Sequence, residues 1–179
     1  MSAIPESVQP PFYMRDNFAP VMEEVDAFDL PCDGAIPPEL CGLYLRNGPN
    51  QRVGDPGHWF IGDGMIHGLR LQRGKAVWFR NRWVRTRALM EGAELVDANG
   101  NVDHSVAKAN TNVIGFGGRL FALVESSFPT ELTPELDTVG VYDFGGRLTT
   151  SMTAHPKIDP ATGELHFFGY RFLPPYLTY

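Results

Sequence analysis

Residues 65–84, MIHGLRLQRGKAVWFRNRWV, decide how the rest of the chain is read. Leu69 and Leu71 alternate with polar neighbours up to Arg73-Gly74, and Val77, Phe79 and Asn81 resume the alternation beyond that pair. A period of two broken by a short glycine-containing turn is the signature of a β-hairpin. Working outward, Leu40 to Leu45 reads as a strand running into a compact turn signal, Asn47-Gly48-Pro49-Asn50. Val113 to Glu125 reads as a third β region, broken by Gly115, Gly117 and Gly118. Val139, Val141 and Leu148 give a fourth, with Gly145-Gly146 as its turn. A last hairpin turns at Asp159-Pro160-Ala161-Thr162-Gly163, where Asp caps, Pro fixes φ and Gly accepts a positive φ. ESSFPTELTPEL, residues 125–136, is expected to be a loop with at most one helical turn near Leu132.

The expected fold class is therefore all-β, built of meandering antiparallel sheets as in a sandwich, barrel or propeller. Residues 1–38, rich in proline and acidic groups without sustained periodicity, are expected to form an irregular strap, and 39–179 the β domain. The 19 glycines and 15 prolines punctuate the chain rather than gathering in one tract, which suits many short strands. A 43% hydrophobic share supplies a core for a single domain of this length.

A net charge of −6 argues against nucleic acid as a main ligand. The locally positive RNRWVRTR, residues 80–87, reads as the exposed half of a strand. Cys32 and Cys41 show no CxxC spacing, and the N-terminal MSAIPESVQPPFYM lacks the charged start and apolar run of a signal peptide, so a reduced, cytoplasmic location is the expectation. No apolar stretch reaches the length of a membrane span, while peripheral membrane contact stays open because it needs only a surface patch.

His155 is the leading chemical candidate. Pro156 restrains it to extended backbone, and a neutral imidazole suits iron, zinc, copper or nickel. A structural hydrogen-bonding role is the competing reading. His58, His67, His104 and His166 form no local ligand motif, although His166 lies on the second arm of the same hairpin and would share a metal if it faced His155. Glu125 ends the apolar run LFALV; it either accepts a proton from the far nitrogen of a ligand histidine or is a strand-end carboxylate in water. GFGG, residues 115–118, precedes strand-like residues rather than a helix, so it lacks the context of a dinucleotide loop. Asp63 in GDGM lacks the companion oxygens of a calcium loop.

DNFAPV from Asp16, GLYLRNGPN from Gly42, HWFIGDGMIHG from His58, NRWVRT, NVIGFGGRLFALVES, DTVGVYDFGG and SMTAHPKIDPATGE follow one another in an order that strongly resembles the carotenoid cleavage oxygenase family, also called the retinal pigment epithelial membrane protein family. The resemblance runs over residues 16–179. It implies early blades of a seven-bladed β-propeller, incomplete in this chain, with Fe(II) near the axis and an apolar tunnel over one face. It implies that His155 matches the first of four iron-binding histidines, and that Glu125 matches an outer glutamate hydrogen-bonded to a metal-bound histidine. FIGDGM departs from the family's FDGDGM at Ile61.

The activity so implied is cleavage of a carbon–carbon double bond in a carotenoid or apocarotenoid by O2, giving carbonyl products from a lipophilic polyene. A stilbene-like phenylpropanoid is the alternative substrate, and a non-catalytic truncated propeller the alternative class. Three of the implied iron histidines have no counterpart in these 179 residues, so the stretch alone is expected to be inactive.

Overall fold

The computed structural model describes residues 9–52, 54, 57–171 and 173–179. Four strands make the first sheet: β1 (Asp26–Phe28), β2 (Gly42–Asn50), β3 (Asp63–Gln72) and β4 (Lys75–Trp83), in the order β1-β4-β3-β2 with antiparallel neighbours. The β3–β4 turn is Arg73-Gly74, both at positive φ (48° and 75°). Two left-handed central residues match the twist of the flanking strands, which is why so short a connection closes the hairpin.

Asn47-Gly48-Pro49-Asn50 is not a turn: it is the second half of β2, paired residue by residue with Ile66 to Asp63. The proline is tolerated for a positional reason. Gly64, opposite Pro49, donates its N–H to the Lys108 carbonyl (2.8 Å) and accepts from Val84 N–H (2.8 Å), so its polar groups point away from β2. The pair is thus of the non-hydrogen-bonded kind, and Pro49's missing N–H faces the outer edge of the sheet.

The segment leading into β1 is held by side-chain amides imitating a strand. Asn81 accepts from Val25 N–H (2.6 Å) and donates to the Glu23 carbonyl (2.9 Å), while Asn50 does the same for both backbone groups of Val21 (2.9 and 2.7 Å). Asp26 adds ion pairs to Arg80 (2.6 Å) and Arg82 (2.7 Å), and Glu24 pairs with Arg85 (2.8 Å).

After β4 comes a short helix, α1 (Arg87–Glu91), absent from the sequence expectations. Its caps were nonetheless written in the chain. Thr86 Oγ1 accepts from Leu89 N–H (3.3 Å), and Gly92 ends the helix at φ 69°. The second sheet is a simple meander, β5 (Asn112–Phe116), β6 (Arg119–Leu123), β7 (Thr130–Leu132) and β8 (Thr138–Val141), ordered β5-β6-β7-β8. Gly117-Gly118 is a hairpin turn between β5 and β6, at φ 57° and 75°.

Two sequence expectations fail in this sheet. The supposed loop 125–136 contains β7, because Thr130 and Leu132 are buried on one side while Glu131 reaches out to Arg119. A three-residue alternation inside a proline-flanked stretch is too short to read as a strand. Gly145-Gly146 does not join two strands either. β8 stops at Val141, and the chain folds in so that Tyr142, Phe144 and Leu148 pack against the cluster around Phe121.

The sheets pack side by side. Ile66, Trp78 and Val84 of the first unit meet Ala107, Ala109, Ala122, Leu132 and Leu136 of the second in one buried cluster. On the far side of the second sheet, Phe121 and Leu123 meet Met152 and Ala154, with Leu165 and Phe167 against them. This third unit consists of two-residue strands: β9 (Lys157–Ile158) with β10 (Leu165–His166), and β11 (Gly169–Tyr170) with β12 (Leu177–Thr178). Small antiparallel sheets following one another in chain order and packed through shared cores form the early blades of a β-propeller. No helix among the described residues is long and apolar enough to cross a membrane.

Candidate metal centre

β6 delivers Glu125 two residues after its last member, Leu123. Residues 150–154 cross from the second blade to the third as a fully buried run. That run is pinned on both sides. Met152 N–H donates to the Ser127 carbonyl (3.1 Å), Thr153 N–H to the Phe168 carbonyl (2.8 Å), and Asn112 Nδ2 to the Ala154 carbonyl (2.7 Å). The run emerges at His155, whose side chain is 64% exposed, just before the Asp159–Gly163 turn. In that turn Asp159 Oδ1 accepts from Ala161 N–H (2.7 Å), and Gly163 sits at φ 75°.

The two residues singled out in the sequence come together. His155 Nε2 lies 3.3 Å from Glu125 Oε1, although the residues are far apart in the chain. Glu125 Oε2 accepts from Thr153 Oγ1 (3.0 Å), and the same Thr153 oxygen accepts from His155 N–H (3.2 Å). Tyr170 lies near the same carboxylate. Burial first, and then the adjacent carboxylate, push the Tyr170 phenol above its ordinary pKa. Thr153 and Tyr170 were missed from sequence. For Thr153 a signal existed, a hydroxyl two residues before the histidine, but its partner Glu125 could only be found in space.

The remaining histidines are engaged elsewhere. His166 pairs across β9–β10 with Lys157 and stacks on Tyr179, its Nδ1 2.5 Å from the phenolic oxygen, so it does not share a site with His155. His58 Nδ1 accepts from Phe60 N–H (3.1 Å), and His104 Nδ1 contacts the Ser126 carbonyl (2.8 Å). His67 is half-buried, and burial followed by the nearby Arg46 charge holds its imidazole below the usual range. Cys32 and Cys41 are free and exposed.

Among the described residues no group of three or more His, Cys, Asp or Glu side chains is placed to hold a metal ion. The donor set at His155 is one imidazole and one carboxylate. As the ring is placed, Nε2 faces the carboxylate. A carboxylate holding the far nitrogen of an imidazole is the outer arrangement that fixes a metal-binding histidine's tautomer. The pair therefore fits one corner of a metal site rather than a whole one.

Residues 18–179 match the family described as Retinal pigment epithelial membrane protein. The chain is 50% identical to a Carotenoid cleavage oxygenase of Mycobacterium tuberculosis, covering 89% of this chain and 33% of that protein. It is 39% identical to Carotenoid 9,10(9',10')-cleavage dioxygenase 1 of Arabidopsis thaliana, over 95% of this chain and 38% of the relative. Among solved structures it resembles a lignostilbene dioxygenase of Pseudomonas brassicacearum, with TM-score 0.77 and 34% identity, over 94% of this chain and 38% of that one. A variant of the Synechocystis apocarotenoid oxygenase superposes with TM-score 0.71 at 30% identity, over 85% of this chain and 38% of that one. The chain thus spans 33–38% of the length of these proteins. By motif order, by blade packing and by these similarities, it belongs to the retinal pigment epithelial membrane protein family of carotenoid cleavage oxygenases.

Proposed function

We propose that these residues form the first part of a non-haem Fe(II) dioxygenase that cleaves a carbon–carbon double bond of a carotenoid or apocarotenoid. Family membership supports the reaction class. The observation that carries the site reading is the convergence of His155 and Glu125, with Thr153 bonded to both. His155 is the metal-binding imidazole in this reading, and Glu125 fixes its orientation through the far nitrogen. The other ligands belong to the part of the relatives that this chain does not span.

Bound iron supplies the redox chemistry: one O2 and one double bond become two carbonyl groups, each product carrying one oxygen atom. The residues of this chain hold that histidine beside the Glu125 carboxylate. They also wall the corner with the buried run 150–154. A stilbene-type phenylpropanoid is the second substrate reading, favoured by the similarity to the lignostilbene dioxygenase.

The test is made on the full-length protein loaded with iron and offered an apocarotenoid and a hydroxystilbene in parallel. Carbonyl products carrying label from 18O2 are expected, with one substrate clearly preferred. His155→Ala is expected to lose its iron. Retention of stoichiometric iron by that variant would sink the ligand assignment, and unlabelled products or none from either substrate would sink the reaction.

A further inference from the structure

Resting on the reading of His155 as the metal-binding imidazole, we infer that Asn112 is a positioning residue: its side-chain amide holds the peptide that joins Ala154 to His155, and so sets the direction in which the imidazole leaves the backbone.

Asn112 opens β5, and its Nδ2 crosses to the third blade to donate to the Ala154 carbonyl (2.7 Å). Its Oδ1 accepts from Val113 N–H (2.8 Å). A carbonyl only accepts and a backbone N–H only donates, so the two ends of the amide cannot be exchanged without breaking both bonds. Asn112 is itself braced from the first blade, because Asn47 Nδ2 donates to the Asn112 carbonyl and to the Ala109 carbonyl (2.8 Å each).

The bond acts on one rigid unit. The Ala154 carbonyl and the His155 N–H belong to the same planar peptide. Asn112 holds its carbonyl end, and Thr153 Oγ1 accepts from its N–H end (3.2 Å). Ala154 is fully buried. Beyond the histidine, Pro156 restricts the His155 backbone to extended conformations. Both sides of the His155 Cα are thereby held, and with them the Cα–Cβ direction. That hold matters because the His155 side chain is largely exposed, so packing does not aim it. An aspartate at position 112 keeps the acceptor for Val113 N–H but turns an oxygen toward the Ala154 carbonyl oxygen, and the two repel.

Asn81 provides a matched comparison. Its amide makes the same pair of contacts, Nδ2 to the Glu23 carbonyl (2.9 Å) and Oδ1 from Val25 N–H (2.6 Å), but at the margin of the first sheet. Asparagine to aspartate at either position keeps the acceptor and removes the donor. The test uses the full-length protein loaded with ferrous iron. It reads iron affinity by competition with ferrozine, the electron paramagnetic resonance signal of the nitric oxide adduct of the ferrous ion, and Tm. Asn112→Asp is expected to hold iron about tenfold more weakly, the lower end of the loss when an outer partner of a metal ligand is removed, and to give a shifted or broadened signal. Asn81→Asp, at a site only 2% exposed, is expected to lower Tm at least as far while keeping the wild-type affinity and signal.

Wild-type affinity and signal in a folded Asn112→Asp would overturn the inference. So would an equal loss of iron from Asn81→Asp, which would make both asparagines part of the general stability of the blades. If Asn112→Asp does not fold, Asn112→Ser, which shortens the side chain without adding charge, is held to the same criteria. Retention of iron by His155→Ala would strike the ligand reading and the inference with it. With iron lost from His155→Ala, the Asn112 variants judge the inference by itself.

Discussion

Gly64→Ala tests the packing of the first two blades most sharply. A Cβ built on Gly64 falls 2.3 Å from the Ala109 carbonyl oxygen and 2.8 Å from both the Ala109 carbonyl carbon and the Lys108 carbonyl oxygen. All three atoms are backbone, so no side-chain rotation relieves the clash. The two units must separate by roughly 1 Å to restore ordinary contact, and a gap of that size forfeits about a quarter to a half of each dispersion well it opens. The Gly64 N–H bond to the Lys108 carbonyl, 2.8 Å long, stretches with it. Overpacking of this kind costs about 1–3 kcal/mol, and a buried hydrogen bond left unmade adds about 1 kcal/mol or more. The sum, about 2–4 kcal/mol, corresponds to a fall in Tm of about 5–15 °C for a chain of this size.

Two companion variants grade the expectation. At Gly68 the added Cβ meets side-chain tips, Leu136 Cδ1 at 2.8 Å and Leu45 Cδ2 at 3.1 Å, which can rotate away. At Gly115 the nearest atom is 3.8 Å away, an ordinary contact. Thermal unfolding followed by far-UV circular dichroism should therefore rank Gly64→Ala well below Gly68→Ala, and Gly68→Ala below Gly115→Ala. Gly115→Ala should match wild type or exceed it, since alanine lowers the entropy of the unfolded chain. A Gly64→Ala midpoint within about 1 °C of wild type would refute the account of the blade interface, because even a 1 kcal/mol loss moves Tm by about 2–4 °C.

Further predictions concern charge and thiols. Bonding to Arg82, offset in part by burial, holds the Asp26 carboxyl below the usual aspartate range. For Glu24 burial pulls upward, but the Arg85 hydrogen bond and the Trp83 N–H outweigh it and hold the group below 4.5. Both folded values are depressed, so their stabilisation is complete above the unfolded values and is lost as pH falls through the folded ones. The denaturation midpoint should drop below about pH 4.5, and the double variant Glu24→Gln, Asp26→Asn should flatten that drop. The Tyr170 phenol is raised above 10.0, so phenolate absorbance should show one tyrosine titrating late, and Glu125→Gln should bring it back toward the others. Its contribution to stability is present below the unfolded value and lost as pH rises through the folded one. Cys32 and Cys41, free and exposed, should both react with a thiol reagent in the native chain, and a single reacting thiol would contradict the exposure of both.

How much of this could be read beforehand depended on the range of the interactions. The β3–β4 hairpin and the Asp159–Gly163 turn were legible because alternation and turn chemistry act over a few residues. β7 was not, because three residues carry too little periodicity and its strand character comes from pairing with β6 and β8. The tail of β2 was misread for a related reason. Asn-Gly-Pro-Asn is locally a turn sequence, and only the lateral position of β2 makes Pro49 harmless there. Tertiary pairing overrode local preference in both places.

The candidate site divides along the same line. His155 was visible because Pro156 and the following turn mark its backbone, and Glu125 because it ends an apolar run. Neither signal says that the two meet. Their meeting requires β6 to end where the run 150–154 emerges, which is set by Met152 N–H on the Ser127 carbonyl and by the packing of Phe121 and Leu123 on Met152 and Ala154. That packing is core, not chemistry. It follows that a variant far from the ring, such as Phe121→Ala, should disturb His155 only by loosening the blade interface that carries it. Thr153→Val should disturb His155 while leaving that interface in place. The two effects separate in one comparison. Phe121→Ala should lower Tm by an amount set by a cavity costing about 3–5 kcal/mol, and a Thr153→Val variant showing the same loss would make the threonine part of the core rather than the hinge of the site.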